Sequence, residues 1–280
     1  MTYPNQALWK VAAFGSCRVQ TPLSIANAQG YLSFKAHNGI GYIHNPLEIA
    51  QAIALLKGDV AAPRELYRLL NVVNPKLLGS PDHYAEVFEA ADAIVIEISS
   101  VRIIEDGPWQ LQIHRFREEA EKRGAPSKLM SKIFDPSQRP HVMSTIEACG
   151  WGEFFTGRRF YELDAHGLSA ALRSLRSKIH QPVLFVGTIR TDFNGAIIPQ
   201  REMTHLELDR IANEVPNTSY FDPTPVLTAV GARRVMKDLG HYTEEFEPVI
   251  AQHLSRAIST LCARPEPGTR LENQAASVSA

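Results

Sequence analysis

The sequence is poor in several things, and each shortage excludes a class of protein. It has three cysteines in 280 residues, Cys17, Cys149 and Cys262, and no CxxC pair. An odd, sparse set of thiols excludes a disulfide scaffold and implies reduced cysteines, so a cytoplasmic setting is expected. Charge of one sign is lacking too: Lys and Arg number 29 against 30 Asp and Glu. That balance excludes the basic footprint of a nucleic-acid binder and the basic tract that holds a chain to an anionic membrane. No apolar run approaches the ~18 residues of a membrane span. The opening MTYPNQALWKVAAF lacks the charged segment and long apolar run of a secretory leader. There is no HExxH, and the ten histidines are scattered, so neither a metal nor a cofactor is expected. Gly39-x-Gly41 lacks the third glycine of a dinucleotide fingerprint.

What is present reads as one globular α/β domain. Hydrophobic residues make up 44% and charged residues 21%, ordinary for a chain able to bury a large core. Short apolar runs alternate with helical stretches. Trp9 to Phe14 (WKVAAF), Tyr31 to Ala36, Ala93 to Ile98 (AIVIEI), Pro182 to Val186 (PVLFV) and Thr218 to Phe221 read as strands. Thr21-Pro22 looks like a helix start. Further helices are expected over Pro46 to Leu56, Pro63 to Leu70, Leu168 to Lys178, Met203 to Asn213 and Glu244 to Ser259, the last capped by Thr243. Strands alternating with helices predict a three-layer α/β/α, flavodoxin-like domain with a five-stranded parallel sheet of order 2-1-3-4-5. The domain is expected over residues 8–262. Residues 101–164 exceed what a crossover needs and are read as a helical insertion that roofs the site, a lid. The polar, Pro-bearing segment 263–280 is expected to be a disordered tail.

In that sheet order a ligand binds beside the end of the first strand, where Gly15-Ser16 stands. A serine just past a buried strand exposes its hydroxyl at the sheet's carboxyl edge, although a turn serine fits the same pattern. Near the other end lies Asp238-Leu239-Gly240-His241. An Asp three residues before a His can hold the Nδ1 proton and leave Nε2 free to take a proton from a serine. Cys17, beside Arg18 and near a helix start, is an alternative nucleophile or a small packing residue.

Ser at the first strand's end together with DxxH before the last helix resembles the SGNH/GDSL hydrolase superfamily. Gly15-Ser16-Cys17 is similar to the opening of its GSCFA-type branch, with Arg18-Val19 in place of Phe-Ala. The run from Gly39 to Ile49 (GIGYIHNPLEI) and Val186-Gly187-Thr188-Ile189-Arg190 resemble further segments of that branch.

The resemblance implies a Ser16, Asp238, His241 catalytic triad acting as an esterase or acyl hydrolase through an acyl-serine. It leaves open an O-acyltransferase, or a non-catalytic glycan- or acyl-binding module of the same fold. The substrate implied is a small-molecule or glycan ester. The superfamily's Gly-x-Asn-Asp is replaced by Ser99-Ser100-Val101-Arg102, so the usual oxyanion-holding Asn is missing. Candidate donors are the Ser16 N–H, the Gly39 or Gly41 N–H, and the Ser99 and Ser100 hydroxyls, with Asn38 and Asn45 as further options. Arg190, Asn45 and Glu97 are candidates for substrate binding, and Arg190 and Glu97 equally for structural ion pairs. His37 and His44 are read as loop structure, and Met203 and Met236 as core.

Overall fold

The structure is a computed structural model that describes residues 8–263; the expected tail lies, from 264 onward, outside the described residues. Five strands form the central sheet: β1 (Lys10–Phe14), β2 (Ser33–Phe34), β3 (Ala93–Ile98), β7 (Val183–Gly187) and β8 (Thr218–Phe221). Their order is β2-β1-β3-β7-β8 and every pairing is parallel. Counted within the sheet this is the expected 2-1-3-4-5.

Alternation along the strands builds two cores. Val11, Ala13, Ala93 and Val95 point to one face, where they meet Val19 and Leu23 of α1 (Cys17–Ala28) and Leu254 and Ile258 of the C-terminal helix Glu247–Cys262. Ala12, Phe14, Ile94, Ile96 and Ile98 point to the other, against Ile49, Ile53 and Leu56 of α2 (Pro46–Lys57) and Leu168 and Leu172 of the helix Ala165–Ser177. By this period of two, Glu97 falls on the α1 face.

Several sequence expectations need correction. Thr21-Pro22 does not start a helix: α1 begins at Cys17, with Pro22 inside it. The reason is Ser16, whose hydroxyl accepts the Arg18 N–H and caps the helix five residues earlier. Pro63 to Leu70 is not a helix but a 3₁₀ turn, Arg64–Leu66. The chain leaves it through Asn71, at φ 56°, a left-handed conformation that ends helical pairing. Thr243 does not cap the last helix, which starts at Glu247 after Phe246. Tyr31 to Ala36 contributes only two paired residues as an edge strand.

The long segment after β3 is more than helical. β4 (Arg102–Asp106), β5 (Trp109–Gln110) and β6 (Arg158–Glu162) form an antiparallel sheet in the order β5-β4-β6. Helices Ile113–Lys122, Ser127–Lys132 and Arg139–Ala148 lie between β5 and β6. Phe116 is fully buried there, stacked on Phe154 at 4.7 Å and edge-on to Phe155 and Phe160. Among the described residues, no helix is long and apolar enough to cross a membrane.

Candidate active site

The site begins with a glycine that has to be a glycine. Gly15 follows β1 at φ +152°, and a Cβ there would come within 2.7 Å of Glu97 Cβ. Without one, the chain passes directly over β3 and turns into α1. This brings the Ser16 N–H onto Glu97 Oε2 at 2.6 Å. Glu97 is completely buried, and its other oxygen faces the Arg18 guanidinium in an ion pair. Burial alone would push the Glu97 carboxyl up, but Arg18 and the Ser16 N–H overcome it and hold the group below the usual carboxylate range. The Arg18 pKa moves upward in return: burial opposes ionisation, and Glu97 outweighs it. The pair is therefore charged, beneath the Ser16 hydroxyl.

Arg18 does more than neutralise Glu97. Its Nε donates to Ser16 Oγ at 3.3 Å and its Nη1 to Thr188 Oγ1 at 3.1 Å. Thr188 follows β7, so the guanidinium ties together residues just beyond the ends of β1 and β7 and the carboxyl end of β3. Sequence reading passed over Arg18 as a site residue. A signal existed: Glu97 is the one charge in the apolar run AIVIEI, and a buried carboxylate requires a cation at the same sheet edge.

The Asp238–His241 loop arrives from the far end of the chain. A single bridge between Met236 and Tyr242 closes it, with the Lys237 N–H on the His241 carbonyl at 2.9 Å. Arg201 donates to the Leu239 carbonyl at 2.7 Å and pins the tip. His241 Nδ1 lies 2.9 and 2.8 Å from the two Asp238 oxygens. Asp238 also accepts the Gly240 N–H at 2.7 Å. What burial it has works against ionisation, yet these hydrogen bonds hold its carboxyl below the ordinary range. The imidazole thus has its Nδ1 committed and its Nε2 available. Ser16 and His241 line one cavity of about 600 Å³. Among the described residues no hydrogen bond joins them; Ser16 Oγ is engaged by the Arg18 N–H and Nε.

His44, Ser99 and residues of the insertion also line this cavity. His44 is buried, its Nδ1 3.1 Å from Ser99 Oγ and its ring edge-on to His114 at 4.9 Å. Burial, reinforced by His114 and Arg18 and partly offset by Glu97, lowers its pKa to about 4. It is neutral in ordinary buffers and faces the cavity, a position the sequence reading treated as loop structure. Arg102, Gln112 and Arg115 of the insertion also line the cavity.

Other candidates are held elsewhere. Arg190 does not line the cavity: it is bound by Asp222 (Nη2, 2.7 Å) and Glu202 (Nη1, 2.8 Å). Asn45 is buried and caps α2, accepting the Leu47 and Glu48 N–H groups. Glu97 lies beneath the serine rather than on the cavity wall. The Gly39 N–H faces His37 Nδ1 at 3.3 Å, away from the cavity, and a Cβ at Gly39 would strike Leu56. The Gly41 N–H is taken by the Asn71 carbonyl at 2.8 Å. Ser99 and Ser100 do line the cavity, but both of their N–H groups donate to the His44 carbonyl. Cys17 lines it as well and is half-buried.

A family profile described as the TviD N-terminal domain matches residues 9–257. No curated protein matches the chain. Among solved structures, an active-site mutant of a family two carbohydrate esterase from Clostridium thermocellum superposes with a TM-score of 0.46 at 8% identity, over 91% of this chain and 65% of that one. A two-domain esterase active on acetylated mannans gives 0.39 at 12% identity, over 95% and 52%. The chain thus spans less than two thirds of each of these structures.

Proposed function

The chain belongs to the TviD N-terminal domain family, and from its site we propose that it is a serine acyl hydrolase cleaving an O-acyl ester through an acyl-serine. The observation that carries this reading is that Ser16, at the carboxyl edge of the sheet, opens into the same cavity as a His241 whose Nδ1 is committed to Asp238. In the mechanism, Ser16 Oγ attacks the ester carbonyl as His241 Nε2 takes its proton. Asp238 stabilises the imidazolium, and His241 returns the proton to the departing alcohol. Water then repeats the sequence to release the acid. Substrate binding has to bring Ser16 Oγ and His241 together, a tightening common between resting and substrate-bound sites. The Gly15-Ser16-Cys17 opening supports placing the motif nearest the GSCFA-type branch of SGNH hydrolases. Cavity walls carrying Asn71, Ser99, Gln112 and Arg102 suit a hydroxyl-rich acyl carrier such as a glycan better than a lipid, and a second alcohol in place of water would make the same centre an O-acyltransferase. The missing Ser16–His241 hydrogen bond favours the second reading, a non-catalytic glycan- or acyl-binding module.

Intact mass after fluorophosphonate treatment separates the two. The proposal expects one adduct on the wild type and on Cys17→Ala, none on Ser16→Ala, and slower labelling of His241→Ala. A folded wild type without an adduct would favour the binding module.

A further inference from the structure

Ester attack by Ser16 creates an oxyanion, and the backbone N–H groups named above as candidates to receive it are already engaged. The Ser16 N–H points at Glu97 Oε2 (2.6 Å), the Gly39 and Gly41 N–H groups at His37 and the Asn71 carbonyl, and the Ser99 and Ser100 N–H groups at the His44 carbonyl. Resting on the reading of Ser16 as nucleophile, we infer that the Arg18 guanidinium is the group that holds the oxyanion, and that Glu97 and Thr188 are positioning residues that aim it.

Four observations converge on Arg18. It lines the cavity while its side chain is only 14% exposed. Its Nε already donates to Ser16 Oγ at 3.3 Å. An oxyanion on the carbon that Oγ attacks lies two bonds from Oγ, within reach of the same fork. The guanidinium is fixed on its other sides by Glu97 and by Thr188 Oγ1, so it need not reorganise as charge develops. The histidine-bearing loop passes over it: a Cβ added at Gly240 would sit 3.8 Å from Arg18 Nη1. A guanidinium beside the nucleophile can accept the developing negative charge in charge-assisted hydrogen bonds.

The step balances without another reactant. Oγ forms a bond to the carbonyl carbon, and the serine proton goes to His241 Nε2. The carbonyl π pair moves onto oxygen, and that oxyanion accepts N–H groups of Arg18. On collapse the pair returns, the bond to the leaving alcohol breaks, and His241 supplies the alcohol's proton.

The test is the rate of phosphonylation of Ser16 in the full chain, because the phosphonyl oxygen occupies the oxyanion position. Arg18→Lys keeps a cation beside Glu97 but loses the fork. It is expected to melt close to the wild type and to label slower by about 10²-fold, the loss typical of one oxyanion donor. Arg18→Ala is expected to label as slowly and to regain rate with added guanidinium chloride at millimolar, non-denaturing concentration. Thr188→Val leaves the ion pair and removes one anchor, so a smaller loss at unchanged melting temperature is expected even if an Arg18 variant does not fold. Wild-type labelling rates in folded Arg18→Lys, or in Thr188→Val where Arg18→Lys does not fold, would overturn the inference while leaving the Ser16 reading intact. An adduct that persists on Ser16→Ala, or is absent from the wild type, would instead sink that reading and the inference with it.

Discussion

A carboxyl in the first turn of a buried helix is a costly place for a charge, and Glu48 avoids the cost by remaining protonated. Its side chain is buried, and burial pushes its pKa from 4.5 up to about 8 against the opposing hydrogen bonds of the His44 and Asn45 backbone. Since the folded state binds the proton more tightly than the unfolded chain, this contribution to stability is complete below about pH 4.5 and is lost as the pH rises through about 8. Glu48→Gln keeps the shape without the titration. Its melting temperature relative to wild type is expected to rise between pH 5 and pH 8.5, and a constant difference would mean that Glu48 is ionised when folded. His44 has the opposite sign. With its pKa lowered from 6.5 to about 4, chiefly by burial, the stability it contributes as a neutral ring is present above pH 6.5 and lost as the pH falls through about 4. His44→Gln is expected to flatten the acid limb of the wild-type melting curve measured from pH 7 to pH 4, and an unchanged acid limb would assign that limb to other groups.

At the scale of elements, α2 shows how one side chain sets a boundary. Asn45 Oδ1 accepts the Leu47 and Glu48 N–H groups at 3.0 and 2.9 Å, Pro46 starts the helix without needing a donor, and Gly58 ends it at φ 83°. Asn45→Ala is expected to cost about 1–2 kcal/mol by denaturant unfolding, at the upper end because Asn45 Nδ2 also holds the Arg102 carbonyl at 3.3 Å. A loss near zero would show that water replaces the cap. The legibility of elements in the sequence followed the same local physics. The run Ala93–Ile98 was readable to the residue because a central strand buried on both faces is apolar over most of its length, with Glu97 its one polar position. Pro46 and the DxxH segment were readable because their chemistry is local. The start of α1 was not, because Ser16 and Thr21 are both cap-type residues and only the structure shows that Ser16 Oγ takes the Arg18 N–H. Arg18 and His44 were missed for a related reason. Their roles depend on partners 79 and 55 positions away along the chain, Glu97 and Ser99: the lone charge in AIVIEI shows that Glu97 needs a cation but not that the cation is Arg18, and nothing local to His44 points to Ser99.

Across the whole molecule, the segment 101–164, which lends Arg102, Gln112 and Arg115 to the cavity lining, is part of the main core. Ile104, Phe116, Phe155 and Phe160 belong to the same continuous buried cluster as Ile94, Ile96 and Phe14 of the central sheet. Gln112 reinforces the join, its N–H donating to the Leu69 carbonyl at 2.8 Å, as does Gln51, whose side chain pairs with the backbone of Gln110 at 2.8 and 2.9 Å. Moving this segment as a body would expose this apolar contact to water. The consequence is measurable. Phe116 is fully buried among three other phenylalanines and beneath Arg158. Phe116→Ala is expected to destabilise the protein by about 3–5 kcal/mol and to do so in a single transition, with tryptophan fluorescence in a Trp9→Phe background, which leaves Trp109 and Trp151 of the insertion, and far-UV circular dichroism moving together. An insertion that is an autonomous lid predicts instead an early fluorescence transition at lower denaturant, with the sheet's circular dichroism and its midpoint unchanged.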